Sequence, residues 1–309
     1  SSSGSGAATA AGLAAIAIGS DTNGSIRVPA SLCGIFGLKP TYGRLTRQGS
    51  FPFCDSLDHL GPLARSVRDL ALAYDAMQGP DPRDPACTDR PVEPSLPALD
   101  GGADGLRIAI AGGYFDTAGM DEAAAAVAAA ANALGADRVI DIPGAAEGRA
   151  AAYLITNAES SAFHLDRLRA RADDFDPETR DRFLAGALLP AAWLVRAQQV
   201  RQWYHDQVMP LFDEVDVILA PATPCTAPAV GQKTMTLNDR EMLVRPNLGL
   251  FTQPISAIGL PVVAAPIAIG GAMPMAVQII AAPWREELCL RVAAALEAAG
   301  VARAPTPDL

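Results

Sequence analysis

The residues best suited to chemistry stand at the start of the chain, in Ser1-Ser-Ser-Gly-Ser-Gly and in Ile18-Gly-Ser-Asp-Thr-Asn-Gly-Ser25-Ile-Arg-Val-Pro. Ser25 follows a glycine-containing turn and precedes a segment that reads as a short helix. Its hydroxyl can therefore stand where the backbone N–H groups of Thr22, Asn23, Gly24 and Ser25 converge, an arrangement that stabilises a developing oxyanion. A serine becomes a nucleophile only when a positioned base takes its proton. The local pattern also suits a plain helix cap, since Gly24-Ser25-Ile26-Arg27-Val28 is not the Gly-x-Ser-x-Gly elbow of the α/β-hydrolases. Two residues could act as base: His59, in a segment that reads as a loop, and Lys39, whose pKa would fall on burial. Nothing local requires either. Asp21 and Arg27 read as an ion pair bracing the turn. Residues 1 to 6 taken alone have the composition of a flexible linker.

Composition limits the remaining chemistry. The sequence has 309 residues, half of them apolar, enough for a sizeable core. A net charge of −10 argues against a nucleic-acid surface, which needs clustered Lys and Arg. Cys33, Cys54, Cys87, Cys225 and Cys289 are scattered and suit a reducing, cytoplasmic setting. His59, His164 and His205 lack metal-ligand spacing, so neither a metal nor another cofactor is expected. No apolar run is long enough to span a bilayer, and no secretion signal opens the chain. Lysine occurs only at 39 and 233.

The patterning predicts the elements that position these residues. A small-residue helix over 7–15 leads to a short buried strand over 14–18, a helix over 25–32 with Pro29 in its first turn, and a strand over 35–38. Residues 56–62 read as a loop. A helix over 66–77 takes Ser66 as its N-cap, and 79–102, rich in Pro, Asp and Arg, reads as an exposed excursion. From 106 a strand, a helix over 121–134 and a strand over 138–142 give a βαβ rhythm, with helices continuing to 189. A long helix from 191 to about 212, bent by Pro210, carries Trp193, Ala197, Tyr204, Val208 and Leu211 on one stripe. Arg201 falls at helical spacing with Ala197, Tyr204 and Val208 and should point inward, where it would meet a carboxylate or a buried salt-bridge partner. Strands over 215–220, 262–269 and 275–281 and a closing helix over 286–299 complete an α/β chain. No clear linker divides residues 1–309, which read as one domain.

Ser1-Ser2-x-Gly4-Ser5, Gly19-Ser-Asp-Thr-Asn-Gly-Ser25-Ile-Arg27-x-Pro29 and Gly37-Leu-Lys-Pro-Thr-Tyr-Gly-Arg44 resemble the amidase signature family, and Pro221-x-Thr-Pro, Gly259-Leu-Pro and Pro274-x-x-x-Gln278 extend the resemblance along the chain. It implies a mixed β-sheet covered by helices on both faces and a Ser–cis-Ser–Lys triad that hydrolyses amides through an acyl-enzyme. It carries the nucleophile onto Ser25 and the cis-serine onto Ser1, with Ser2, Ser5, Asp21 and Arg27 in support and Ser5 and Thr22 hydrogen-bonding to the triad. The family's base lysine lies several tens of residues before the cis-serine and does not correspond to Lys39. The sequence thus reads as N-terminally truncated and is expected, alone, to show little or no activity.

Val244-Arg-Pro-Asn-Leu-Gly-Leu-Phe-Thr-Gln-Pro-Ile-Ser256 and Gln278-Ile-Ile-Ala-Ala-Pro-Trp-Arg-Glu are most similar to the branch that releases ammonia from 1-carboxybiuret. That resemblance implies a small amide substrate bearing a carboxylate, consistent with an inward Arg201, and a small helical accessory subunit; a homo-oligomer is also compatible. Similarity to amidotransferase A subunits implies that Arg201 holds the substrate carboxylate. The Gln-x-Val-Arg segment is similar to the A subunits of glutaminyl-tRNA amidotransferases, which leaves that role as an alternative. A non-catalytic fragment or binding module is the third. No direct nucleic-acid or membrane contact is implied.

Overall fold

The computed structural model describes residues 1–118, 120–270 and 273–306. Its strands are β1 (Ile16–Asp21), β2 (Phe36–Lys39), β3 (His59–Ala64), β4 (Ile108–Gly112), β5 (Arg138–Asp141), β6 (Val217–Pro221), β7 (Thr234–Leu237), β8 (Arg240–Leu243), β9 (Val262–Ile267) and β10 (Met275–Ala281). Its helices are α1 (Ser3–Ala10), α2 (Arg27–Cys33), α3 (Val67–Met77), α4 (Asp121–Leu134), α5 (Ala145–Arg171), α6 (Pro177–Ala187), α7 (Ala191–Val208), α8 (Leu211–Glu214), α9 (Val244–Asn247), α10 (Gln253–Ala257) and α11 (Glu286–Ala298).

Eight strands form one mixed sheet in the order β1-β3-β2-β9-β10-β6-β4-β5. β4 runs parallel to β5 and β6, with α4 as the crossover that the βαβ rhythm predicts; the other pairs are antiparallel. Every residue of β9 and β10 is buried, as strands covered on both faces must be. Alternation sends Ala264 and Ala276 to a small core with Ala30 of α2 and with Ile26 just before it, while Val263, Val277 and Ile279 enter the main core. α3, α4 and α11 contact one another or the sheet on that second side.

Small residues let α2 approach the sheet. A Cβ on Gly37 would meet Ile26, Leu63 and Ala30 within 3.0 Å, and one on Gly61 would lie 2.0 Å from the Leu38 carbonyl oxygen. Neighbouring backbone gives no room at Gly61, whereas side chains could shift around Gly37.

Several elements differ from the sequence expectation. β1 is an edge strand, and Ile16 and Ile18 are exposed rather than buried. α1 begins and ends earlier than expected. The segment 59–64 is a strand next to β1; Gly61 and Pro62 disguised it, and Pro62 is tolerated in antiparallel pairing with Ile18. Trp193 is 56% exposed, off the buried stripe of α7 that retains Ala197, Tyr204 and Val208. The β7–β8 hairpin turns at Asn238-Asp239, both at positive φ, a two-residue signal legible in the sequence.

The 79–102 segment is pinned rather than loose. Asp81 and Asp84 are buried and bond Thr46 and Arg47, Thr88 bonds Gly43, and Ser95 is held by Asp75. Ser66 caps α3 as expected, accepting from the Asp69 N–H at 3.0 Å. Among the described residues no helix is long and apolar enough to cross a membrane.

Gly61→Ala should destabilise the protein by roughly 1–3 kcal/mol or more, because its Cβ meets backbone that cannot give way. Gly4→Ala, with nothing within 4 Å of its Cβ in a helix, should be neutral or stabilising. Denaturant midpoints of the two variants measure the contrast, and equal midpoints would remove the packing argument.

Candidate active site

The Ser25 turn is built on a buried ion pair. Arg27 and Asp21 are both fully buried and bidentate, Nε to Oδ2 and Nη2 to Oδ1 at 3.0 Å each. Arg27 also donates to Gln278 Oε1 at 2.7 Å and to Ser256 Oγ, while Gln278 Nε2 donates to the carbonyls of Pro221 and Phe251. Burial pushes the Asp21 carboxyl up, but the Arg27 guanidinium outweighs it and holds the group well below the usual carboxylate range. The same carboxylate accepts from the Gly24 N–H at 2.7 Å and the Ile26 N–H at 3.2 Å. It thereby folds the turn back on itself.

Those two bonds decide which donors remain. The Gly24 N–H is committed to Asp21, so the four convergent donors expected from the sequence become three. Among the described residues the N–H groups of Thr22, Asn23 and Ser25 have no partner. Gly24 has φ +128, and a Cβ there would meet Thr252 Oγ1 at 2.1 Å, so only glycine fits. Thr252 Oγ1 in turn donates to the Asn23 carbonyl at 2.8 Å.

The chain's first residues pack against this turn. The Ser2 N–H donates to the Ser25 carbonyl at 3.0 Å, and Ser2 Oγ bridges both backbone groups of Ser20. Ser5 Oγ donates to the Ile18 carbonyl and Thr22 Oγ1 to Asp58 at 2.6 Å, so these hydroxyls brace backbone and loop rather than Ser1 or Ser25. Ser25 is half-buried and Ser1 exposed; among the described residues neither hydroxyl has a hydrogen-bond partner. The described peptide bonds are all trans; the bond preceding Ser1 is not one of them.

Neither local base candidate meets Ser25. His59 is buried in β3, and its Nδ1 donates to the carbonyls of Leu57 and Asp21, which leaves Nε2 without a partner. Burial, reinforced by Lys39, holds its pKa well below the ordinary value. Lys39 is fully buried and donates to the Pro40 carbonyl at 3.0 Å. Burial and then Arg27 lower its pKa to about 7, against the pull of Asp21 and Glu286.

Arg201 does point inward, but it meets no carboxylate. It donates to the carbonyls of Ala257 and Ser56, and its Nη1 has no partner among the described residues. Both anchors join the Ser25 turn. Asp58, in the same loop as Ser56, accepts from Thr22, and Thr252, just before α10 with Ala257, donates to Asn23. Helix α5 forms a further wall: Thr156 accepts from Asn23 Nδ2 at 2.8 Å, and Glu159 holds Ser56 and Cys54. Sequence reasoning missed Thr156, Glu159, Asp58, Ser256 and Thr252. Thr252 and Ser256 lie in the Val244–Ser256 stretch without any role read from it, the others lie in no such stretch, and only the tertiary fold brings all five to the turn.

The fold and the sequence together define the class: the chain belongs to the amidase family, whose model matches residues 1–290. Its relatives include AtzE of Pseudomonas sp. (strain ADP), which is a 1-carboxybiuret hydrolase subunit; it is 56% identical over 305 residues, covering 98% of this chain and 67% of the relative. The A subunit of glutamyl-tRNA(Gln) amidotransferase from Roseiflexus sp. (strain RS-1) is 38% identical, covering 100% of this chain and 68% of the relative. A solved structure described as "An unexpected vestigial protein complex reveals the evolutionary origins of an s-triazine catabolic enzyme" matches with a TM-score of 0.96 at 54% identity, over 98% of this chain and 66% of that one. The corresponding amidotransferase protein of Thermotoga maritima matches with a TM-score of 0.80 at 28% identity, over 95% and 64%. The chain spans about two thirds of the length of these relatives.

Lys39 makes stability depend on pH. The folded protein releases its proton above about pH 7, whereas the unfolded chain keeps it to about the ordinary 10.5. The unfolded state binds more protons in that window, so stability should rise with pH across it, by roughly 1.4 kcal/mol per unit. Lys39→Met should remove about 2 kcal/mol of the gain between pH 7 and 9. Urea unfolding at the two pH values measures this, and an unchanged gain in the variant would show that Lys39 is not its source.

Proposed function

We propose that Ser25 is the nucleophile of an amidase acting on a small amide that bears a carboxylate, of the 1-carboxybiuret type. The observation that carries this reading is the half-buried Ser25 hydroxyl beside three unpartnered N–H groups, in a turn clamped by a fully satisfied buried ion pair. The 56% identity to the 1-carboxybiuret hydrolase protein supports the substrate class. Arg201, fixed through Nε and Nη2 with Nη1 left over, suits a carboxylate held beside the turn.

In this reading Ser25 Oγ attacks the amide carbonyl carbon while its proton passes through Ser1 to a lysine. The N–H groups of Thr22, Asn23 and Ser25 hold the oxyanion. The C–N bond then breaks, the proton goes to the leaving nitrogen as ammonia, and an acyl-Ser25 ester remains. Water attacks the ester by the reverse proton route and frees the acid and the serine. Neither Lys39 nor Lys233 is at hand for the base: Lys39 bonds Pro40 and Lys233 pairs with Glu178. The resemblance assigns that role to a residue preceding Ser1. A small helical accessory subunit belongs to the same reading, supported by the protein complex named for the TM-score 0.96 neighbour.

The 38% identity to an amidotransferase protein over the whole chain favours a second reading, ammonia supply from glutamine within a tRNA-dependent complex. Ammonia release from 1-carboxybiuret without tRNA or ATP selects the hydrolase; glutaminase activity seen only in a complex selects the amidotransferase.

In protein extended at its N-terminus to the length of its relatives, Ser25→Ala should abolish turnover with the fold intact by circular dichroism. Retained turnover would end the nucleophile assignment. Arg201→Ala should raise KM roughly tenfold or more for carboxylate-bearing amides, as expected on losing a charged hydrogen bond, and leave neutral amides largely unaffected. Equal losses on both would count against a carboxylate site.

A further inference from the structure

Glu159 of α5 takes three donors from the 53–58 loop. Its Oε1 accepts from Ser56 Oγ at 2.7 Å, and its Oε2 accepts from the Ser56 N–H at 3.0 Å and from Cys54 Sγ at 3.1 Å. The Ser56 carbonyl, the one polar group of that residue left over, accepts from Arg201 Nη2 at 3.1 Å. A single residue is thus held by Glu159 and in turn holds Arg201. The second anchor of Arg201, the Ala257 carbonyl, sits in the buried helix α10 and does not depend on Glu159. Anchors on both Nε and Nη2 fix the plane of the guanidinium and with it the direction of Nη1, whereas one anchor leaves that plane free to turn about the Nε bond.

Resting on the reading of Arg201 as the carboxylate contact, we propose that Glu159 is a positioning residue: acting through Ser56, it directs Arg201 Nη1 at the substrate carboxylate. Its charge works the other way. Burial lowers the Arg201 pKa, and Glu159 is among the groups that pull it back up, so its carboxylate lies close enough to act on the guanidinium through space. It would repel a substrate carboxylate held at Nη1. Removing the charge alone should therefore tighten such substrates, and removing the hydrogen bonds should loosen them. Glutamine separates the two effects. Its oxygen can take the place of Oε2 and its NH2 that of Oε1, where the Ser56 hydroxyl accepts instead of donating, so the clamp survives without the charge. Alanine loses both.

In protein extended at its N-terminus to the length of its relatives, Glu159→Ala should raise KM for a carboxylate-bearing amide roughly three- to tenfold, with kcat and neutral amides changed less than about twofold. Glu159→Gln should restore a KM at or below that of the unaltered protein. Asp58 still ties the loop to Thr22 and holds the Phe53 and Cys54 N–H groups, so the wall stays in place without Glu159. Ser56→Ala removes one clamp bond from the loop side; it should give a smaller rise of the same kind, and it carries the test should Glu159→Ala fail to fold. In an Arg201→Ala background Glu159→Ala should change KM no further. The proposal is overturned if alanine and glutamine shift KM alike, if neutral amides lose as much as carboxylate-bearing ones, or if the effects of Glu159→Ala and Arg201→Ala add. Arg201→Ala by itself keeps the two readings apart. A selective loss there beside an unselective Glu159→Ala removes only the positioning role, whereas an unselective Arg201→Ala removes the carboxylate contact and the positioning role together.

Discussion

The buried Asp21–Arg27 pair is the interaction on which the site depends. Taking two charges out of water costs several kcal/mol per ion, and the cost is offset only when the geometry is good and the other polar atoms are satisfied. Here the pairing is bidentate, Gln278 and Ser256 take further guanidinium protons, and Asp21 spends its remaining capacity on the Gly24 and Ile26 N–H groups. The pair thus ties four segments together: the end of β1, the start of α2, strand β10 and helix α10. Its specific consequence is a selection among backbone donors, two occupied and three left open.

A second cation lies close to the same pair. Lys39 enters from β2 on the face covered by α2, and Arg27 repels it while Asp21 attracts it. Burial lowers the lysine's pKa most and the Arg27 charge lowers it further, which outweighs the pull of Asp21 and Glu286. Arg27 uses its planar fork for the bidentate contact. Lys39 is therefore understood as part of the support beneath the turn rather than as its base.

Around this rigid floor the walls come from distant segments. The 53–58 loop reaches Thr22 through Asp58, helix α5 reaches Asn23 through Thr156, and α7 places Arg201 between Ser56 and Ala257. Glu159 joins two of these walls by holding Ser56 and Cys54. The proposed substrate contacts thus lie between elements, while the proposed nucleophile and the open N–H groups beside it lie in one short turn.

That division explains what the sequence determined by itself. The Gly-Ser-Asp-Thr-Asn-Gly-Ser-Ile-Arg run specified the turn, its helix and the Asp21–Arg27 pair, because partners six residues apart in a tight turn meet whatever the remaining chain does. Periodicity likewise specified α3, α4, α11 and β10, whose apolar faces are continuous. The tertiary structure alone decided that β3 is a strand despite Gly61 and Pro62, because pairing with β1 and β2 outweighs weak propensity. It decided that β1 lies at an edge, that the 79–102 segment is pinned, and that Arg201 faces carbonyls. It also committed the Gly24 N–H to Asp21, removing it from the open donors of the turn, and left the Asn23 oxygen unmatched. Each of these depends on where one hydrogen-bonding atom sits relative to another far away in the chain, and residue types and spacing do not carry that information.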